Sequence, residues 1–363
     1  MSTKLFAPAT LGTITLKNRV VMAPMTRNRA TAGHDVTPIM ATYYAQRASA
    51  GLIITEGIAP SANGNGYARV PGLYTPSQVE GWQAITSAVH EKGGKIFAQL
   101  MHTGRVSHSA NMEKSTEILA PSAVAAAGQI YTDELGMQDH PTPREMTKAD
   151  IEKTIQEFVA AAKNAVAAGF DGVELHGANG YLVEQFLRPT TNQRTDEYGG
   201  STENYARFAV DVATAISNAI GVEKTGIRLS PYGVFNDMPY SSDYDAIALL
   251  VAEKLNGVVT YVHLVDHEAM GAPAVDKQIV DAIRDTFTGT LILSGGYDAA
   301  RAEEVLQADK AELIAFGRPF IPNPDLVERM ESGAELAQPD YDTFYTPGEK
   351  GYTDYPTLAE AVV

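Results

Sequence analysis

ELHGANGYLVEQFLRPTTNQRTDEYGGSTENYARF, residues Glu174 to Phe208, completes an apolar strand that opens at Asp171 and then turns abruptly polar. The strand, Asp171–Leu175, exits into His176, Asn179 and Tyr181. Polar side chains in a half-buried segment need hydrogen-bond partners, and a strand end is where a bound ligand can supply them. Taken singly, each of the three is as well explained by a local cap or a locally satisfied hydroxyl. Upstream, Lys148–Ala168 reads as a helix: Thr147 caps it with Asp150 in the box position, and Ile151, Ile155, Phe158, Ala162 and Val166 recur at steps of three or four residues. Downstream, Ser201–Ile220 is helical again, so the strand lies between two helices.

The same alternation runs along the whole chain. Short apolar segments occur at Arg19–Ala23, Leu52–Thr55, Lys95–Leu100, Asp171–Leu175, Thr225–Leu229, Val259–Val265, Thr290–Leu293 and Glu312–Ala315. Helix-like stretches follow them at Thr37–Ala50, Ser77–Lys92, Lys148–Ala168, Ser201–Ile220, Asp243–Leu255, Val275–Asp285, Ala299–Gln307 and Asp325–Ser332. Eight strands alternating with eight helices predict an α/β fold, a (β/α)8 TIM barrel with its active-site groups at the C-terminal strand ends. A doubly wound open sheet is the alternative, which a different segmentation of strands five and six would give. No linker or composition break divides residues 1–363, so one domain is expected, with Met101–Met146 as an inserted hairpin or lid after strand three.

Composition narrows the function classes. Hydrophobic residues make up 44% and charged residues 20%, as in ordinary globular proteins. A formal net charge of −16 argues against nucleic-acid binding, which needs a positive surface. There are no cysteines, which removes disulfides, thiolate metal sites and a cysteine nucleophile. No apolar run approaches the roughly 18 residues of a membrane span, and MSTKLFAPATLG lacks the apolar core of a signal peptide, so a cytoplasmic protein is expected.

In a barrel, the residues just after each strand converge on one site. The first strand exits into Pro24, Met25 and Thr26, the second into Glu56 and Gly57, and the third ends at Gln99, whose amide could bond a heterocycle. Arg228 lies in the fifth strand, and a buried arginine needs either an ion pair or a bound anion. The last two strands exit into LSGGYD and IAFGRPF, which supply Gly295, Gly296, Gly317 and Arg318. Glycine-rich exits ahead of helices, at strands seven and eight, are how a barrel holds phosphate. Neither GxGxxG nor GxxxxGK[ST] occurs.

These motifs, with LKNRVVMAPMTR, HGANGYL, TDEYGGS, GRPFIPNPDL and GYTDYP, closely resemble the flavin-dependent ene-reductases of the Old Yellow Enzyme family along nearly the whole chain. The resemblance implies non-covalent FMN across the barrel mouth, reduced by NADPH or NADH. Pro24, Met25, Thr26, Gly57, Gln99 and Arg228 would contact the isoalloxazine and ribityl portions, and Gly295, Gly296, Gly317 and Arg318 the phosphate. Arg228 would stabilise the anionic reduced flavin, and Thr26 would tune its potential. His176 and Asn179 would bond the substrate's activating oxygen, and Tyr181 would donate the proton. Tyr67 and Tyr352 would wall the substrate pocket. Thr26 in place of cysteine, and a His/Asn pair in place of His/His, match the better-known branch of the family, whose members are monomers or homodimers. Met101 departs from the tryptophan that many relatives carry there, which implies a roomier pocket or a different orientation of the substrate. The implied substrates are electron-poor alkenes: enones, enals, nitroalkenes and maleimides, with nitrate esters beside them.

Three other functions compete. A barrel hydrolase would need two carboxylates across a cleft, drawn from Glu56, Glu174 and Asp196, and it leaves the HxxNxY motif without a purpose. A metal enzyme would draw on His102 and His108, or His263 and His267, whose spacings match no ligand pattern, so no metal is expected. The third is a flavoprotein of the same fold with another oxidant.

Overall fold

The structure, a computed structural model, describes residues 3–361. Eight parallel strands follow one another around a closed barrel: β1 (Val20–Met22), β2 (Leu52–Ile58), β3 (Ile96–Leu100), β4 (Gly172–Gly177), β5 (Thr225–Leu229), β6 (Tyr261–Val265), β7 (Thr290–Ser294) and β8 (Leu313–Phe316). Pairing of β8 with β1, Ala315 against Val21, closes the ring and excludes the open sheet. Around it run α1 (Pro38–Gln46), α2 (Pro76–Glu91), α3 (Lys148–Ala167), α4 (Thr202–Ile220), α5 (Asp243–Leu255), α6 (Lys277–Thr286), α7 (Ala299–Gln307) and α8 (Leu326–Ser332). The expected box at α3 is present: the Asp150 amide donates to Thr147 Oγ1 at 3.2 Å, and the Thr147 amide donates to the Asp150 carboxylate at 2.8 Å.

Side chains fill the barrel rather than leaving a pore. Val21, Leu52, Ile54, Phe97, Tyr261, Ile292 and Leu313 form its inner core, and a second core lies between the strands and the helices. A hairpin that the sequence reading missed, Ala9–Leu11 with Ile14–Leu16, inserts Leu11 and Leu16 into the inner cluster. Its turn residue Gly12 has φ +56°, and a Cβ there would lie 2.5 Å from the Glu223 carbonyl oxygen, just before β5. The hairpin therefore plugs the end of the barrel opposite the strand exits.

Several boundaries differ from expectation for local reasons. Strand β2 runs past Thr55 to Ile58 through a register shift between Ile54 and Gly57. The Thr55 hydroxyl bridges that gap, donating to the Glu56 carbonyl at 2.8 Å and accepting from the Gln99 amide at 3.1 Å. Helix α1 stops at Gln46 rather than Ala50, where Lys17 and Asn18 side chains take the Ala48 and Ser49 carbonyls. Strand β4 continues to Gly177, which sets His176 directly beside Arg228 on β5. The segment after β3 contains a hairpin, Gln129–Thr132 with Gly136–Asp139, and a short parallel pair, Leu119–Ala120 with Arg144–Glu145.

Candidate active site

At the C-terminal strand ends the barrel opens into a cavity of about 1220 Å³, above the roughly 300–1,000 Å³ of an ordinary small-molecule site. Pro24, Met25, Thr26, Gly57, Tyr67, Gln99, Met101, His176, Asn179, Tyr181, Arg228, Gly295, Gly296, Gly317 and Arg318 all line it. The floor is a buried polar layer. Gln99 Nε2 donates to Glu174 at 2.8 Å, and His263 joins Glu174 at 2.9 Å to Ser294 at 3.1 Å. With its nitrogen committed to Glu174, Gln99 turns its carbonyl oxygen to the cavity as an acceptor.

Along one wall stand the three residues that first drew attention. His176 is buried, and its Nδ1 accepts the Ala178 amide at 3.4 Å. That contact puts the ring proton on Nε2, which is left for the cavity. Burial, with Arg228 adding to it, holds the imidazole far below its ordinary pKa of about 6.5, so it is a neutral donor. Asn179 adopts φ +60°. Its amide donates to Ser230 Oγ at 3.0 Å, while its side-chain oxygen is buried without a protein partner. Tyr181 sits edge-on to His176, ring centroids 5.0 Å apart, with its hydroxyl 3.2 Å from that of Tyr67. Burial raises the Tyr181 phenol above its ordinary value, so it stays protonated at neutral pH.

A buried network holds this wall in place. Glu184, in the short helix Leu182–Leu187, accepts from the Gly180 amide at 2.7 Å, from Ser230 Oγ at 3.0 Å and from Arg188 at 2.5 Å. Arg188 also donates to the Ser230 carbonyl at 3.0 Å and lies over the Tyr244 ring at 3.5 Å. The backbone turn that presents Asn179 and Tyr181 is thus tied to β5 by a buried ion pair.

Tyr352 is a correction: it lines no part of the cavity and is fully buried. It stacks on Tyr43 at 4.0 Å, with the Arg27 and Arg29 guanidinium groups over its ring at 5.3 and 4.7 Å. Those arginines clamp the C-terminal segment by its carbonyls, Arg27 at Gly351 (2.7 Å) and Arg29 at Phe344 (2.7 Å) and Thr343 (2.9 Å). The aromatics that the clamp delivers to the cavity are Tyr341, Phe344 and Tyr345. The glycine loops also differ in part from expectation. A 3₁₀ turn, Arg318–Phe320, follows β8 before α8 begins, and Asp298 already caps the first turn of α7. Any anion there would therefore meet loop amides and Arg318 rather than an open helix end.

The hydrolase candidates do not meet. Glu174 is bound in the floor, Asp196 is paired with Arg194 at 2.6 Å, and Glu56 lies behind the wall. There it accepts from the Tyr44 hydroxyl at 3.3 Å, and burial lifts its carboxyl to about 7. His267, named only among metal candidates, lines the cavity instead, with burial pressing it down to about 4. Asn236, Phe235 and Tyr345 also line it and were missed. The first two lie in a loop after β5 whose reach over the mouth has no local signal.

A family model described as NADH:flavin oxidoreductase / NADH oxidase family matches residues 4–337. The chain belongs to this family. It is 42% identical to chanoclavine-I aldehyde reductase of Penicillium roqueforti over 99% of this chain and 97% of that one. It is 40% identical to a probable flavin mononucleotide-dependent alkene reductase of Leishmania infantum over 97% and 96%. Among solved structures, an Old Yellow Enzyme homologue from Zymomonas mobilis superposes with a TM-score of 0.94 at 40% identity, covering 98% of this chain and 100% of that one. Morphinone reductase does so with 0.94 at 41%, covering 99% and 98%. As a member of the Old Yellow Enzyme family, the protein is an FMN-dependent, NAD(P)H-driven oxidoreductase of the ene-reductase type.

The residues fit that cofactor. Arg228 is buried, and among the described residues its Nε has no hydrogen-bond partner and no carboxylate forms a salt bridge with it, so its guanidinium calls for an anionic or carbonyl-rich ligand. Gly295 at φ +127° and Gly296 at φ +63° hold backbone that side-chain-bearing residues rarely adopt. A Cβ on Gly295 would lie 2.3 Å from the Asp266 carbonyl oxygen. At Gly57 a Cβ would meet the Met101 sulfur at 2.5 Å, so the glycine makes room for the methionine.

Proposed function

We propose that the protein reduces electron-poor alkenes in two half-reactions at this one cavity, with Tyr181 as the proton donor and His176 and Asn179 as the activating pair. The observation that carries the reading is one wall that sets His176 and Asn179 beside a protonated phenol and next to a buried arginine whose Nε has no partner among the described residues. When bound, FMN would supply hydride transfer between the nicotinamide and the alkene's β-carbon. Pro24, Met25, Thr26, Gly57, Gln99 and Arg228 would hold its ring system, and Gly295, Gly296, Gly317 and Arg318 its phosphate. His176 Nε2–H and the Asn179 amide would bond the carbonyl or nitro oxygen and stabilise the charge that develops on it. Tyr181 would give its proton to the α-carbon.

The rim indicates the shape of the substrate. Tyr131, Phe235, Met270, Tyr341 and Tyr345 are all exposed large hydrophobics that line the cavity. Such a concentration of apolar surface at one mouth suits an alkene whose bulky apolar body projects from the barrel. Enones with a polycyclic or long-chain body fit better than maleimides. We assign the hairpin Gln129–Asp139 as the rim of a lid over this end. Among the described residues no helix is long and apolar enough to cross a membrane, and we place the protein in the cytoplasm as a monomer or homodimer.

The test is anaerobic stopped-flow: bleaching of the flavin by NADPH, then recovery on adding 2-cyclohexenone or an enone with a large apolar substituent. Recovery with both, and tighter saturation by the larger, is expected. Bleaching without recovery would mean a flavoprotein whose oxidant lies elsewhere. For the phosphate site, Arg318→Ala should weaken FMN binding by roughly 10–100-fold, the worth of a charged hydrogen bond, read by fluorescence titration of the apoprotein. Unchanged affinity would remove Arg318 from that role.

A further inference from the structure

Asn236 is a cavity residue to which nothing above gives a task. It sits at the turn of the loop after β5, where Asn236 and Asp237 adopt consecutive left-handed conformations, φ +56° and +58°. Two such residues in a row carry backbone strain that the surroundings must hold. The holding group is Arg105, a buried residue of the segment after β3. Its Nη2 donates to the Asp237 carbonyl at 2.7 Å, and it pairs with the Asp237 carboxylate at 3.4 Å. The carboxylate in turn accepts the Ala127 amide at 2.9 Å. So fixed, Asn236 packs on the catalytic turn: a Cβ on Gly180 would come within 2.8 Å of the Asn236 Cβ.

The side chain makes two kinds of contact. Nδ2 donates to the Asn179 carbonyl at 2.8 Å. The side chain shares the cavity with both phenols, Tyr67 and Tyr181, and its proximity offsets part of what burial does to each, favouring the ionised form. A primary amide has two N–H groups, so one can hold Asn179 while the other is left over for a second acceptor. The Tyr67 hydroxyl is the second donor available to Tyr181, at 3.2 Å.

We propose that Asn236 is a positioning residue for the proton donor: anchored on the Asn179 carbonyl, its amide orients the Tyr67–Tyr181 pair and stabilises the negative charge left on Tyr181 when its proton departs. The inference rests on the alkene-reductase reading. In that step the Tyr181 O–H bond breaks, a C–H bond forms at the α-carbon, and the phenolate recovers its proton from water. In a cavity where burial disfavours the phenolate, a neutral donor beside it lowers the cost of the transfer.

The experiment uses Asn236→Gly, which keeps a left-handed backbone accessible while deleting the amide, and Asn236→Asp, which keeps the shape but cannot donate. Each is made in wild-type and Tyr181→Phe holoenzyme. Reoxidation of the reduced flavin by 2-cyclohexenone should slow by roughly 10–100-fold in both single variants. Reduction by NADPH, and reoxidation by ferricyanide, which takes electrons without a proton from Tyr181, should hold. In the Tyr181→Phe background either substitution should add less than about twofold, since coupling through one group is not additive. Equal slowing with ferricyanide, or undiminished slowing without the phenol, would overturn the proposal in favour of a merely structural role. Independently of turnover, NMR titration of tyrosine labelled at Cζ should show Tyr181 ionising at higher pH in Asn236→Gly. The titratable groups that face it, Tyr67, His176, Tyr345 and Arg228, remain in place. An unmoved titration also overturns the proposal. Wild-type protein that ferricyanide reoxidises and the enone does not would defeat the alkene-reductase reading itself, and the titration would still decide Asn236.

Discussion

Replacing Tyr181 with phenylalanine should slow alkene reduction by roughly 10²–10⁴-fold, the usual worth of a general acid, and leave reduction of the flavin by NADPH unchanged. The substitution is nearly isosteric. The ring contact with His176 at 5.0 Å and the apolar cluster with Val70, Met101 and Val106 survive it, so the fold and the cavity shape should too. What is lost is one proton at one position. Burial raises that phenol, so the wild-type rate should stay flat across neutral pH and fall only as pH rises through the elevated value, where the acid form is depleted. The variant should lose that alkaline limb. Stopped-flow measurement of each half-reaction separates the outcomes. Equal losses in both would show that the tyrosine shapes the cavity rather than supplying a proton.

The sequence showed which residues leave each strand, and in a closed barrel that alone brings them together. His176, Arg228, Gln99 and the paired glycines were legible for this reason: parallel strands in register carry their exits to one rim, whatever the helices between them do. Residues placed by long-range packing were not legible. Tyr352 lies in GYTDYP, whose recurrence in the family suggested a pocket wall, yet its position depends on Arg27 and Arg29 binding carbonyls of a distant segment. Tyr345, seven residues earlier, reaches the mouth through that same clamp. Asn236 depends on Arg105, 131 positions away in the chain. Arg27 and Arg29, whose partners in that segment are backbone carbonyls, leave no complementary charge in the sequence to be noticed. Glu184 and Arg188 are spaced as an ordinary surface pair four residues apart. Only the burial of both at 1% side-chain exposure makes them a structural anchor.

That anchor carries the second large effect. Glu184→Ala should destabilise the protein by about 3–5 kcal/mol, because it leaves the buried Arg188 guanidinium without its counter-charge. It also orphans the Gly180 amide and the Ser230 hydroxyl, both of which bond Glu184. The loss should divide into a part that packing can recover and a part that it cannot. In Glu184→Leu with Arg188→Met, two apolar side chains of similar volume face Tyr244, and much of the stability should return, as it does when buried ion pairs are replaced whole. The catalytic turn should not return with it. Asn179 and Gly180 hold consecutive left-handed conformations, φ +60° and +77°, and the bond from the Gly180 amide to Glu184 is what fixes them. The double variant should therefore unfold in urea close to the wild type yet bind phenols, which the proposed His176 and Asn179 donors would hold, more weakly. Wild-type phenol affinity in a stable double variant would mean that the turn is held by Asn236 and Ser230 alone. A cost below about 1 kcal/mol for Glu184→Ala would mean that water reaches Arg188 and that the pair is no anchor.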